Sequence, residues 1–268
     1  MQVERERIEL AKERLLKEFY DRYNRPLKTP KTVTQLETKL ENEFFYWHVD
    51  RALAQMAQSH NVNRTDYKTK YAGTSAFYYP REVEPSSALR HIRSIAKLMD
   101  KYSNPTVMHA VGKHLEGLVR YELRVQGFSI VRENAREYKG KIWTQTAHDL
   151  DFVVEYKNGQ LALGVEVKNT LSVMPRDEID VKIRICDFLG IKPVFAIRWV
   201  KPHVEEIKNR GGFAWMFKTQ IYPPGYEDLV RQIFKKMGLP VTVRTDLPPK
   251  TILPFQRKIK EWLYEAKT

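Results

Sequence analysis

The chain has 268 residues, with 46 Lys and Arg against 33 Asp and Glu, a formal net charge of +13. Its length accommodates one large domain or two modest ones, and an apolar fraction of 42% with 12% aromatic residues excludes wholesale disorder. A single cysteine, Cys186, excludes an internal disulfide framework and a cysteine zinc site, while the cationic excess favours a polyanionic partner, nucleic acid ahead of an anionic membrane. No apolar run approaches bilayer-spanning length and the opening MQVERERIELAKERLLKEF has no apolar h-region, so an intracellular, cytoplasmic chain with no membrane partner is expected.

Residues 3–24 place Ile8, Ala11, Leu15 and Phe19 on one helical face, and Arg25-Pro26 ends the pattern. Thr34 followed by Glu37 reads as a capping box opening a short second helix. A third helix is expected over 43–59, with Phe45, Val49, Leu53 and Met56 inward and Trp47, Arg51 and Gln55 on the other side. NRTDYKTKYAGTSAFYYP then alternates about Gly73, putting Tyr67, Thr69 and Tyr71 on one face and Lys68 and Lys70 on the other, a two-stranded ribbon with a basic side. Three helices followed by a basic hairpin resemble a winged helix-turn-helix. That resemblance implies a DNA-binding domain over 1–85, its last helix carrying Trp47, Arg51 and Gln55 into the major groove and Lys68 and Lys70 touching phosphates. The alternative is a small helical domain whose hairpin closes its own core.

A connecting helix is expected over 86–103. Asn104-Pro105 then caps and starts a helix of some twenty residues running to Gly127. Beyond it come a strand (FSIVRE), a loop, two alternating runs about Asn158-Gly159, a helix (PRDEIDVKIRICDFLG), a strand (KPVFAIRW), a helix (HVEEIKNR) and a strand (FAWMFK). A further strand at 239–244 lies between two helices. Strands alternating with helices indicate an α/β layer on a mixed central sheet.

Asn158-Gly159 is a type I′ hairpin signal, and a two-residue loop fixes the register. Tyr156 then faces Leu161, Val154 faces Leu163, Phe152 faces Val165 and Leu150 faces Val167, giving one apolar, buried face. On the other face Glu155 meets Ala162, Val153 meets Gly164, Asp151 meets Glu166 and Asp149 meets Lys168. Two carboxylates with Cβ atoms roughly 5 Å apart repel, so without metal one of them should hold its proton unusually well. A divalent cation such as Mg²⁺ relieves the conflict, because it takes hard oxygen ligands and keeps several waters. Gly164 is expected to leave that face open to a phosphate backbone, and Lys168 lies on the same face. Two acids and an ammonium suit phosphodiester hydrolysis.

Asp151 followed by Glu166-Val167-Lys168 resembles the D…(D/E)xK signature of the restriction-endonuclease-like nucleases, and the helix, strand, hairpin, helix, strand order is similar to their core. The resemblance covers roughly residues 104–200. It implies an α/β fold with a mixed sheet flanked by helices, a nuclease domain over 104–268, and Mg²⁺ (with Mn²⁺ able to substitute) held by Asp151, Glu166 and the Val167 carbonyl. Lys168 becomes the catalytic lysine. It further implies a glutamate from the preceding helix, Glu116, with Gly112 allowing a close helix approach and Glu122 as the fallback. Pairing with Arg120 is the other reading of Glu116, and Asp149 is the alternative ligand. Leu150 stands where the family commonly has proline. A homodimer follows from the resemblance alone.

The seven histidines form no HxH or HExxH group, so His109 and His114 read as helix-surface residues and His148 as a loop residue near the strand. Lys182 and Arg184 read either as phosphate contacts or as an ordinary solvated face. The expected activity is therefore Mg²⁺-dependent DNA endonuclease. The alternatives are a DNA-binding protein with an inactive nuclease core, and a junction- or RNA-directed nuclease of the same fold.

Overall fold

The computed structural model describes residues 2–157 and 159–265, so the Asn158 position of the expected type I′ turn lies outside the described residues. The chain divides into two compact units. One takes in residues up to His109 together with Glu227–Val241; the other takes in Ala110–Tyr226 and the chain from Thr242 onward.

In the first unit, α1 (Gln2–Phe19) buries Ile8, Ala11, Leu15 and Phe19, as the periodicity requires. It stops short of residue 24 because the Asp21 carboxylate accepts hydrogen bonds from the Tyr23 and Arg25 amides (2.8 and 2.9 Å) and turns the chain. Strand β1 (Lys31–Thr32) leads into α2 (Val33–Leu40). The capping box is Thr32 with Gln35, not Thr34 with Glu37: the Thr32 hydroxyl accepts from the Gln35 amide (3.2 Å), and the Gln35 side chain accepts from the Thr32 amide (2.9 Å). Helix α3 (Tyr46–Gln58) buries Val49, Leu53 and Met56 with His48 and Ala52. Phe45 is its N-cap and only half-buried, and Phe44 takes the core position expected of it.

Strands β2 (Val62–Lys68) and β3 (Thr74–Pro80) form the expected antiparallel ribbon, and β1 joins it to give the order β1-β3-β2. Helix α4 (Pro85–Tyr102) follows, its buried stripe running through Ala88, Ile92, Ile95 and Met99.

Helix α5 (Pro105–Val125) starts at Asn104, whose side-chain oxygen accepts from the Thr106 amide (2.9 Å). The second unit then runs through β4 (Phe128–Ala135), a small pair β5 (Glu137–Tyr138) and β6 (Lys141–Ile142), β7 (Leu150–Tyr156), β8 (Leu161–Lys168), α6 (Arg176–Leu189) and β9 (Lys192–Ile197). After one 3₁₀ turn come α7 (Val204–Asn209), β10 (Phe213–Met216) and β11 (Gln220–Tyr222). Helix α8 (Glu227–Met237) belongs to the first unit, and β12 (Val241–Val243) and α9 (Pro249–Glu265) finish the chain. Gly190 ends α6 in the left-handed region (φ 74°).

Five strands form one mixed sheet in the order β10-β9-β8-β7-β4, antiparallel across β4, β7 and β8 and parallel from β8 to β10. The fold is therefore α/β with a mixed sheet flanked by helices. On one face α5 and α9 pack Leu115, Val119, Phe255 and Trp262 against Phe152, Val154, Leu163 and Val165. On the other, α6 packs Ile185, Cys186 and Leu189 against Val153 and Leu150. This corrects two expectations. Leu150 lies with Val153, off the Phe152 face, and the acid-bearing face is covered along most of its length. Gly164 does not open it to a backbone: a Cβ there would meet Cys186 Sγ at 2.6 Å and Leu150 Cδ1 at 2.7 Å, so this glycine lets α6 sit close to the sheet.

Candidate active site

The β7–β8 ladder pairs Phe152 with Val165, Val153 with Gly164, Val154 with Leu163, Glu155 with Ala162 and Tyr156 with Leu161, the register expected from the turn. It stops one step short of Asp151 and Glu166. There the strands part, and the Asp151 carboxylate replaces the backbone as partner: its Oδ2 accepts from the Val167 amide at 2.6 Å. The two acids meet at this open end of the hairpin, and each feels the other's neighbourhood. Burial raises the Glu166 pKa to about 8, with the Asp151 charge the next largest cause and Lys182 opposing both. Burial also raises the Asp151 pKa, the Val167 amide bond opposes the shift, and Glu116 and Asp149 add to it. Glu116, Asp149, Asp151 and Glu166 are thus electrostatically one group.

The cations are arranged differently from expectation. Lys168 lies at the end of β8, a third exposed, with its ammonium 2.7 Å from Glu178 Oε1 on α6. Lys182, expected among surface phosphate contacts, is buried instead. Its Nζ lies 2.7 Å from Glu166 Oε2 and donates to the Asp149 carbonyl. The reason is legible in the helix: Ile179, Lys182, Ile183 and Cys186 share the buried stripe of α6, and a lysine held there must meet a carboxylate. Arg184, two residues on, is exposed. Glu116 pairs with Lys113 one turn back (2.6 Å), whereas Arg120 reaches Glu133 on β4 (2.8 Å). Lys113 also feels the Asp151 charge, so it belongs to the site although its sequence context gave no sign of it. Gly112 makes no close approach, since nothing lies within 4 Å of where a Cβ would be. Glu122 is buried and accepts from Gln126, just past the end of its own helix.

Asn169, directly after the motif, anchors this end of β8. Its side chain donates to the carbonyls of Val111 (2.8 Å) and Ile221 (2.6 Å) and accepts from the Ile221 amide (2.9 Å). His148 contacts Thr146 in the adjoining loop, and His114 reaches the Arg244 carbonyl (2.7 Å). Neither joins the carboxylates. In the first unit, Trp47 stacks on Phe45 (4.5 Å between ring centres) and Arg51 is drawn to Glu4 of α1 (3.2 Å). Gln55 is exposed, as are Lys68 and Lys70 on the hairpin, with Lys70 over the Tyr71 ring.

Among the described residues no three His, Cys, Asp or Glu side chains converge as a ready-made metal cage. The donor chemistry nevertheless fits a hard divalent cation. Asp151 and Glu166 offer only oxygens, and the positive charge that Glu166 Oε2 meets here is the buried Lys182 ammonium at 2.7 Å. Mg²⁺ is commonly bound through one or two carboxylates, with waters and phosphate oxygens completing its shell. Among the described residues no helix is long and apolar enough to cross a membrane. Set against known proteins, the chain matches no family model, no curated protein and no solved structure.

Proposed function

We propose that the chain is a Mg²⁺-dependent DNA endonuclease with a restriction-endonuclease-like second unit and a winged-helix-like first unit. The observation that carries this reading is the placing of Asp151 and Glu166 at the open end of the β7–β8 ladder, where burial raises both carboxyls, the Asp151 charge adds to the shift at Glu166, and the Glu116 and Asp149 charges add to it at Asp151. The order α5, β4, β7, β8, α6, β9, with three antiparallel strands and a fourth parallel to the last, is what that nuclease resemblance implies. In the first unit the order α1, β1, α2, α3, β2, β3 with sheet order β1-β3-β2 likewise supports the winged-helix reading.

Asp151 and Glu166 would hold the cation, with Glu116 adding negative charge beside Asp151. Bound there, the ion supplies Lewis acidity toward the scissile phosphate and lowers the pKa of a coordinated water. Lys182 orients Glu166 from beneath the sheet. Lys168, the more exposed of the two lysines, would swing from Glu178 to the phosphate, where negative charge develops. One site cuts one strand, so breaking both strands calls for a second copy or a second event.

A second reading, a DNA-binding protein with an inactive core, draws support from the same ion pairs. Lys182 on Glu166 and Lys168 on Glu178 satisfy the site without any metal. Incubation with supercoiled plasmid, linear duplex, single-stranded and branched DNA, and RNA, with Mg²⁺ or with chelator, separates the two. The nuclease reading expects metal-dependent cutting that falls about 100-fold or more in Lys168→Ala and Asp151→Asn. Negligible cutting by the parent chain on every substrate selects the inactive core.

A further inference from the structure

The site described above uses few of the cations that make the chain basic. In α4, Arg90, Arg93, Lys97 and Lys101 recur at spacings of three and four residues on the face opposite the buried Ile92, Ile95 and Met99, and all four are exposed. Among the described residues none of the four has a carboxylate partner. At 1.5 Å per residue the stripe extends about 16 Å, the axial length of about five base pairs.

Two further elements of the same unit extend it. At the Lys101 end, Asp100 accepts from the Tyr71 amide (2.8 Å), which ties the tip of the β2–β3 hairpin, with Lys70, to the end of α4. Midway along, Lys236 at the end of α8 donates to Ser94 (3.3 Å), bringing Lys236 and its exposed neighbour Lys235 alongside. An anionic membrane would also attract this charge, but a basic helix that settles on lipid needs a free apolar face. The apolar face of α4 is already spent on the core.

We propose that the basic face of α4, with the end of α8, takes the sugar–phosphate backbone of a nucleic-acid duplex and continues the contact begun by Lys68 and Lys70 at the hairpin. This shares the nucleic-acid partner with the reading above but none of its cleavage chemistry. The test is binding of the full chain to a labelled duplex of about 30 base pairs with scrambled sequence, in chelator, at salt from about 50 to 200 mM. The variants are the quadruple Arg90→Gln, Arg93→Gln, Lys97→Gln, Lys101→Gln and, separately, Lys68→Gln with Lys70→Gln; thermal melts establish that each is folded.

The quadruple variant is expected to bind roughly ten-fold or more weakly at 0.15 M salt, with the slope of log K against log salt reduced by about three. If it binds like the parent with an unchanged slope while the hairpin variant weakens, the α4 surface is wrong and the DNA-binding reading survives. If the parent chain itself fails to bind duplex, both are overturned. Parallel sedimentation with phosphatidylserine vesicles gives the remaining outcome: loss of vesicle binding with duplex binding intact would make this a membrane surface and overturn the proposal.

Discussion

At the scale of single residues, the site turns on which ammonium neutralises which carboxylate. Lys182 and Glu166 are both buried and 2.7 Å apart, so removing one partner strands the other away from water. Glu166 has an escape, because its pKa already stands near 8 and it can take up a proton. A carboxyl raised in the folded state costs nothing below its unfolded value and destabilises increasingly as pH climbs toward the folded one. Lys182→Met is therefore expected to lose about 2–4 kcal/mol at pH 8.5 and clearly less at pH 6. Adding Glu166→Gln should recover much of the loss at the higher pH. Urea unfolding of the three proteins at both pH values checks this; equal losses at pH 6 and 8.5 would refute the assignment of Lys182 to Glu166.

At the scale of elements, the approach of α6 to the sheet is set by Gly164. A methyl group there runs into Cys186 on the helix and Leu150 on the neighbouring strand, in a core that repacks poorly. Gly164→Ala is expected to cost about 1–3 kcal/mol, and combining it with Cys186→Ala should return part of that, measured by chemical denaturation. In the first unit α2 and α3 meet through an acid pair. Burial raises the Glu37 pKa to about 7, and the Asp50 charge adds to the shift. Glu37 is half-buried, which moderates its effect. Stability that is intact near pH 4.5 should decline as pH rises through 7. Glu37→Gln is expected to remove this slope, gaining on the order of 1–2 kcal/mol at pH 8 and little at pH 5, read from melts at each pH.

At the scale of the whole molecule, the excess of 13 positive charges is unevenly used. Many cations are tied into ion pairs, including Arg14 with Glu43, Arg51 with Glu4 and Lys168 with Glu178. The unpaired stripe on α4 stands out against that background. A polyelectrolyte contact made there must weaken steeply with salt, which is why the duplex-binding slope reports on it more directly than any single affinity. The chain also returns late to its first unit: α8 packs there after the five-stranded sheet of the second unit is complete. The expectation of a single stretch over 104–268 had no way to register that return, because a helix's own periodicity does not name the partner it packs against.

The sequence by itself determined the longer helices and strands and the hairpin register, since both follow from local patterns: the stripe of Ile8, Ala11, Leu15 and Phe19, and the alternation flanking Gly159 that sets Phe152 opposite Val165; the short strands β1, β5, β6 and β11 carry no such pattern. Counting from the turn also pointed to Asp151 and Glu166 as neighbours; the paired ladder ends one step earlier, at Phe152 and Val165, and what links the two acids is the Asp151 charge felt at Glu166. What covers the carboxylate face, where Lys182 points, why Gly164 is small and which unit claims α8 were decided by tertiary structure. Those depend on contacts between segments far apart along the chain, whose separation and angle no local pattern encodes.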